Sequence, residues 1–395
     1  MPGADARLLF IKARGAGKSI IEYCMRYAIM LPIVPWQPWE ERGSPSKREE
    51  IMTFHVARGI VAAGLACSVA LAPLSGFASD HKIALVPGGP HPYFAPWEQS
   101  GLEAAKAFGI ASVEYKVPSE WKLEAQTELL ESLAAQGVNA FGFFPGDAVG
   151  INSTISEMKS SGIPAVTLGG CAQDPTDVAF CLATDVSQSA YLGTKALIKA
   201  MGGKGAIVHL AGLLVDPNTT LRVKAVEKAV AETNGAVTLL QTVGDTDSQE
   251  QGDQKINALL AAQKDQIGGL IATAYISTVV AATALKNLGD KRIKLVGIDD
   301  DKIVLDGIRD GFVAGTMAQN PYGQAYIGAY ALDLLAGGCT VKADAPWIAT
   351  PQTAHFIDSG TLVISSENID SYKDDLKALT GKLQASFKDT YLTCK

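Results

Sequence analysis

From Lys82 onward the chain repeats one unit: a short run of consecutive apolar residues, a loop, then a segment whose apolar positions recur at helical spacing. The first set predicts strands at 83–86, 112–115, 140–144 and 165–168, with helices near 98–108, 123–136 and 151–161. The second predicts a helix near 187–201, strands at 206–210, 237–242, 269–272 and 294–298, and helices near 219–233, 248–263 and 277–288. The apolar runs are continuous rather than alternating, as in strands buried on both faces of a parallel sheet, and right-handed crossovers then place helices on both sides. Two such sets in succession predict an α/β chain of two doubly wound parallel-sheet domains. A further helix near 322–335 follows Gly315-Thr-Met-Ala-Gln-Asn-Pro321 and needs a face to cover. The expected division is therefore 79–184 with 319–349 as the first domain, and 185–318 with 350–395 as the second.

The first 78 residues do not follow this rhythm. Residues 1–51 show no sustained period and carry Pro32, Pro35, Pro38 and Pro45 with Trp36 and Trp39, a segment unable to pack a core. Residues 59–79 carry no charge, and Arg58 precedes the apolar run that ends at Pro73, Gly76 and Ala78. That pattern reads as a cleaved signal peptide over 52–78, with a membrane anchor as its rival. Translation is then expected to start at Met52, since Lys47-Arg48-Glu49-Glu50 reads as a purine-rich ribosome-binding site, and 1–51 is a mis-called extension. The Gly15-Ala-Gly-Lys-Ser19 string lacks the earlier glycine and the preceding strand of a phosphate loop.

Removing this segment changes the charge. The chain has a net charge of −7, but residues 1–78 hold nine basic and six acidic residues, leaving −10 on the remainder. An acidic chain without a basic stripe excludes nucleic-acid wrapping. Of the 6 cysteines, Cys171, Cys181, Cys339 and Cys394 lie beyond the signal. Four thiols in an exported chain allow three pairings; Cys171–Cys181 and Cys339–Cys394 are favoured, with four free buried thiols as the alternative. No zinc spacing, nucleophile elbow or dinucleotide glycine fingerprint is present, and His81, His91, His209 and His355 stand apart, so neither an enzyme nor any cofactor is expected.

In open α/β sheets, ligands bind beyond the carboxyl ends of the strands, so the loops there carry the chemistry. After the strand at 83–86 come four prolines interleaved with His91, Tyr93, Phe94 and Trp97. Prolines pre-set the loop, rings offer flat apolar faces to a sugar's C–H face, and an imidazole can bond a hydroxyl. Core packing is the competing role for the rings. Arg222 follows the strand at 206–210 with a donor fork suited to hydroxyls or a carboxylate. Asp299 ends the strand at 294–298, Asp300 and Asp301 fit the cap of the next helix, and Gln319 and Asn320 stand where the chain crosses between halves. Asp247-Ser-Gln-Glu250 reads as a capping box.

In this order Ile83-Ala-Leu-Val86 with Pro92-Tyr-Phe94, Gly162-Ile-Pro-Ala-Val-Thr-Leu168, Ala183-Thr-Asp185, Val296-Gly-Ile-Asp299 and Thr316-Met-Ala-Gln319 make the chain from Lys82 onward resemble a periplasmic sugar-binding protein of the ribose-binding type. The resemblance implies a type 1 periplasmic-binding fold with its two domains joined by a multi-strand hinge, first-domain ligand contacts at His91, Tyr93 and Phe94, second-domain contacts at Arg222 and Asp299, and a hinge contact at Gln319. It also departs from that family: Gly169-Gly170-Cys171 replaces an Asp-Arg pair, and Ala274-Tyr275 replaces an Asn-Asp. Tyr275 is then expected to take over part of the contact, or the ligand differs from ribose.

The resemblance implies a periplasmic receptor of an ABC importer, monomeric, closing on a sugar, polyol or related small polar molecule through hinges near 183–186, Gln319 and 349–354, and docking on an inner-membrane permease. A receptor feeding a chemotaxis or sensor-kinase system is the alternative, and an enzyme or a sugar-responsive repressor ranks below both. N-terminal sequencing of the precursor is expected to begin at Met52, and peptides from 1–51 in the native protein would overturn that reading.

Overall fold

The computed structural model describes residues 79–395, so the extension and the signal peptide expected over 1–78 lie outside the described residues. The chain begins β1 (Ser79–Val86), α1 (Pro96–Phe108), β2 (Ile110–Tyr115), α2 (Leu123–Ala135), β3 (Ala140–Phe143), α3 (Asn152–Ser160), β4 (Ala165–Leu168) and β5 (Cys181–Ala183). It continues α4 (Val186–Ala200), β6 (Gly205–Leu210), α5 (Pro217–Ala231), β7 (Val237–Val243), α6 (Gln249–Gln263), β8 (Gly269–Ala272), α7 (Tyr275–Leu288), β9 (Lys294–Ile298), α8 (Lys302–Asp310) and β10 (Gly315–Ala318). It closes with α9 (Pro321–Ala336), β11 (Thr340–Val341), β12 (Phe356–Asp358), β13 (Leu362–Ile364), α10 (Tyr372–Tyr391) and β14 (Leu392–Thr393).

Two six-stranded sheets result, in the orders β12-β5-β4-β3-β1-β2 and β13-β10-β9-β8-β6-β7. The first is parallel throughout, and in the second only the β13 edge is antiparallel. The continuous apolar runs are explained by the pleat, which sends successive side chains to opposite faces. In β1, Ile83 and Leu85 enter a core shared with α1 and α9, whereas Ala84 and Val86 enter a second core under α2 and α3. In β6, Ile207 faces α4 and α5 while Val208 and Leu210 face α6 and α7. Both faces of each sheet are thus covered, and α9 finds its cover on the first sheet as Ala325, Ala329 and Leu332.

Tertiary pairing redraws the expected division of the C-terminal segment. β12 is the edge strand of the first sheet, in register with β5, and only β13 joins the second. Helix α10 serves both lobes: Tyr372 near its start packs into the second-lobe core, and Phe387 near its end into the first. Residues 350–395 therefore alternate between lobes, which no periodicity reports.

The two lobes are joined at three crossings, Thr184-Asp185, Gln319-Asn320 and Ser359–Thr361. They are laced together. The Ser359 amide donates to Ala183 O (2.8 Å), Asp358 Oδ1 accepts from the amides of Asp185 and Gly360, and the Thr361 hydroxyl donates to Ala318 O. The hinge expected at 349–354 is displaced to 359–361. Residues 351–354 instead lie on the first lobe, where the Asp174 amide donates to Gln352 O and Asp174 Oδ2 accepts from the Ala354 amide.

Both favoured disulfides are present. Cys171–Cys181 (Cα separation 5.4 Å) pins the loop after β4 to β5, and Cys339–Cys394 (4.3 Å) ties the end of α9 to β14.

Strand β9, which delivers Asp299, packs too closely on α7 to carry a side chain at Gly297: a Cβ there would collide with Thr278, whose hydroxyl accepts from the Ile298 amide. Gly297→Ala is expected to lower unfolding free energy by about 1–3 kcal/mol through overpacking, measured by urea denaturation; an unchanged midpoint would contradict this packing.

Candidate functional site

The carboxyl ends of both sheets face one cleft. On the first lobe, the loop after β1 tightens into a single 3-10 turn over Pro92–Phe94, capped by His91, whose Nδ1 accepts from the Tyr93 amide (3.2 Å). The neutral ring therefore carries its proton on Nε2, a buried atom with no partner among the described residues, 3.9 Å from Asp247 Oδ2 on the opposite lobe. The His91 ring also stands edge-on to Tyr275 of the second lobe (5.7 Å) and to Trp121 of its own (6.3 Å). Tyr93 lies beside Gly169, and its hydroxyl donates to Gln324 Oε1 (2.9 Å).

On the second lobe, Asp299 follows β9 in the left-handed region (φ 68°), a conformation Asp tolerates better than most residues. Its backbone is pinned from both sides by β10, the amide donating to Met317 O and the carbonyl accepting from the Thr316 hydroxyl. The buried carboxylate accepts from Gln319 Nε2 (2.8 Å). Arg222, one turn into α5, acts electrostatically on Asp299, Asp216, His209 and, across the cleft, Tyr93. Its Nε is buried and unpartnered. One buried, unpartnered donor on each lobe, His91 Nε2 and Arg222 Nε, thus accompanies the acceptors Asp247 and Asp299 between the lobes.

Residues 83–339 match the family model described as "Periplasmic binding protein domain". The chain belongs to that family. It is 25% identical over 258 residues to a "Xylitol-binding protein" of Mycolicibacterium smegmatis, covering 65% of this chain and 73% of that protein. It is 23% identical over 235 residues to a "D-apiose import binding protein" of Paraburkholderia graminis, covering 60% and 74%. Among solved structures, an ABC transporter solute-binding protein from Burkholderia graminis in complex with D-arabinose superposes with TM-score 0.65 at 20% identity, over 75% of this chain and 98% of that one. A sugar-binding protein of a sugar ABC transporter from Bacillus halodurans gives 0.65 at 19%, over 74% and 100%. Members of this family bind solutes without transforming them, and this chain is not an enzyme.

Within the periplasmic-binding frame, the expected site divides into groups that meet and groups that do not. His91, Tyr93, Tyr275, Arg222, Asp299 and Gln319 converge on the cleft. Phe94 and Trp97 do not line it in the expected way: they are 1% and 0% exposed and pack edge to face (5.0 Å) in the first-lobe core, supporting the turn from beneath. Burying such rings contributes about 1.5–3 kcal/mol each, which makes them the pillars of the loop. Asn320 caps α9 by accepting from the Gly323 amide and donates to Ser359 O and the Thr380 hydroxyl, so its amide is committed to the hinge. Asp301 caps α8 as expected and also accepts from the Tyr275 hydroxyl, but Asp300 instead accepts from Tyr372 on α10.

Two cleft residues escaped the sequence reading. The sequence around Asp247 reads as a capping box, yet Ser248 is the cap of α6, leaving Asp247 Oδ1 to accept from the Ile276 amide and Oδ2 to face His91. Trp121, 40% exposed, stands against Phe144 (5.5 Å), and nothing around it in sequence signalled a site. Phe144 occupies the place of the missing Asp-Arg pair, since a Cβ at Gly170 would meet its ring at 2.7 Å. The first-lobe wall is consequently aromatic at the place where the resemblance implies a charged pair.

Burial dominates the electrostatics. His209, enclosed at the end of β6 and bonded to the Thr273 hydroxyl (2.7 Å), is pushed down to about 3 by burial and the Arg222 charge, so it is neutral. Burial also lowers His91, opposed by Asp247, and raises Asp216, opposed by Arg222. Asp299 is raised to about 7 by burial, against the opposing Gln319 hydrogen bond and Arg222 charge. A carboxyl whose folded pKa exceeds its unfolded value of 3.8 favours folding fully below that value, and the benefit disappears as pH rises through about 7. The wild-type protein is therefore expected to lose stability relative to Asp299→Asn between pH 4 and 7, an interval about three units wide by this linkage. Urea midpoints of the pair across this range test it, and parallel pH profiles would refute the buried acid.

Proposed function

We propose that the protein is the extracytoplasmic solute-binding component of an ABC importer and takes a neutral sugar or polyol between its lobes. The observation that carries this reading is the convergence of unpartnered donors, His91 Nε2 and Arg222 Nε, with the acceptors Asp247 and Asp299 on both sides of one cleft. Hydroxyl groups both donate and accept, so a polyhydroxylated ligand can answer all four at once. Asp247 offsets the arginine, and burial holds Asp216 and Asp299 toward their neutral forms, so the cleft has no excess positive charge to hold a sugar acid. The rings of Trp121, Tyr93 and Tyr275 supply apolar faces for C–H groups.

The relatives' names, a xylitol-binding protein and a D-apiose import binding protein, support import of a pentose-sized sugar or polyol rather than signalling. Two disulfides and the uncharged stretch at 59–79 support export through a cleaved signal at 52–78 to the periplasm. Lobe closure about the three crossings presents a changed surface to an inner-membrane permease, and the receptor acts as a monomer.

A thermal-shift screen of xylitol, D-apiose, D-arabinose, hexoses and sugar acids tests the reading. At 100-fold excess over Kd a ligand stabilises by about 2.7 kcal/mol, a shift of several degrees. Arg222→Ala is expected to weaken the best compound by about 10- to 100-fold, the worth of charge-assisted hydrogen bonds. Sugar acids as the sole stabilisers, or no stabiliser with unchanged small-angle scattering, would reject it.

A further inference from the structure

Gln324 is fully buried in the first turns of α9 and has a partner for each end of its amide. Its Oε1 accepts from the Tyr93 hydroxyl (2.9 Å), and its Nε2 donates to Ser359 Oγ (3.1 Å) and toward Thr184 Oγ1 (3.4 Å). Tyr93 belongs to the cleft loop. Thr184 and Ser359 belong to two of the three crossings, their hydroxyls 3.3 Å apart, and Gln324 itself follows the third. One side chain therefore touches the cleft and the hinge together.

The direction of each bond follows from chemistry. The Thr184 hydroxyl donates to Gly360 O (3.3 Å), so its oxygen is left to accept from an amide nitrogen. Gln324 stands with Nε2 toward the hinge hydroxyls and Oε1 toward the Tyr93 hydroxyl, and an amide oxygen only accepts while an amide nitrogen only donates. Tyr93 must then give its proton to Gln324, which leaves the phenolic oxygen to accept within the cleft. We infer that Gln324 is a positioning residue that transmits this bond polarity from hinge to cleft, holding Tyr93 as a hydrogen-bond acceptor for ligand and coupling its placement to the crossings. The inference rests on the cleft being the binding site, but the bond chain can be tested without any ligand.

The test is amide hydrogen exchange at Ser359 and Gly360 in the ligand-free, full-length protein. Tyr93→Phe removes only the hydroxyl and is expected to speed exchange at both hinge amides by about 5-fold or more, as local opening becomes easier. Gln324→Met should do the same, and the double variant should add little to either. Tyr322→Phe, on the same helix as Gln324, serves as control: it removes a 2.7 Å hydroxyl bond to Glu103 on α1 and should leave these amides at wild-type rates. Unchanged hinge exchange in Tyr93→Phe would overturn the relay even if Gln324→Met fails to fold. A compound screen without hits leaves this outcome unaffected, so the two readings fail separately.

Discussion

Both sheets of this protein are covered on both faces, and that single constraint decides where chemistry can happen. Strands such as β1 send Ile83 and Leu85 into one core and Ala84 and Val86 into another, so the strand interiors are mostly apolar. Polar groups collect at the carboxyl ends, where the chain turns from strand to helix. With two sheets of the same strand order, two sets of ends exist, and the three crossings bring them to one cleft. The polar groups of the cleft and the crossings of the hinge both depend on this arrangement.

The electrostatic character of the cleft follows from the same enclosure. Asp299 sits where β9 meets β10, and burial holds its carboxyl near neutrality instead of fully charged. His209 is kept neutral beneath Arg222, so the guanidinium is the main positive charge acting there. The opposite wall is aromatic, with Phe144 packed over Gly170 in place of the charged pair that the ribose-type resemblance leads one to expect. A cleft that is acidic on one side and apolar on the other suits a molecule with hydroxyls along one edge and C–H groups on its face.

The hinge is also more than a set of connections. Amides five residues apart reach in opposite directions: Gln319 holds Asp299 of the second lobe and Gln324 holds Tyr93 of the first. Asn320 between them fastens the crossing to Ser359 and to α10. Because α10 enters the core of each lobe in turn, the C-terminal segment bears on the hinge from outside, and the Cys339–Cys394 bond fixes its far end to the first lobe.

Hydrophobic order along the chain by itself determined the two doubly wound sheets, because strands buried on both faces leave continuous apolar runs that local reading detects. It also marked Asp299, directly after the predicted strand at 294–298, while Arg222 was read from the start of the helix that follows the strand at 206–210 and Gln319 from the crossing that precedes Pro321. Tertiary structure alone decided the rest. Phe94 and Trp97 carry the same ring chemistry as Tyr93, and only packing assigns two to the core and one to the cleft. Asp247 and Trp121 join the site through a face-to-face approach of segments far apart in sequence, which leaves no local trace. β12 and β13, separated by three residues, enter different sheets because backbone hydrogen-bond partners are chosen in space, and a three-residue strand carries too little pattern to announce which edge it will complete.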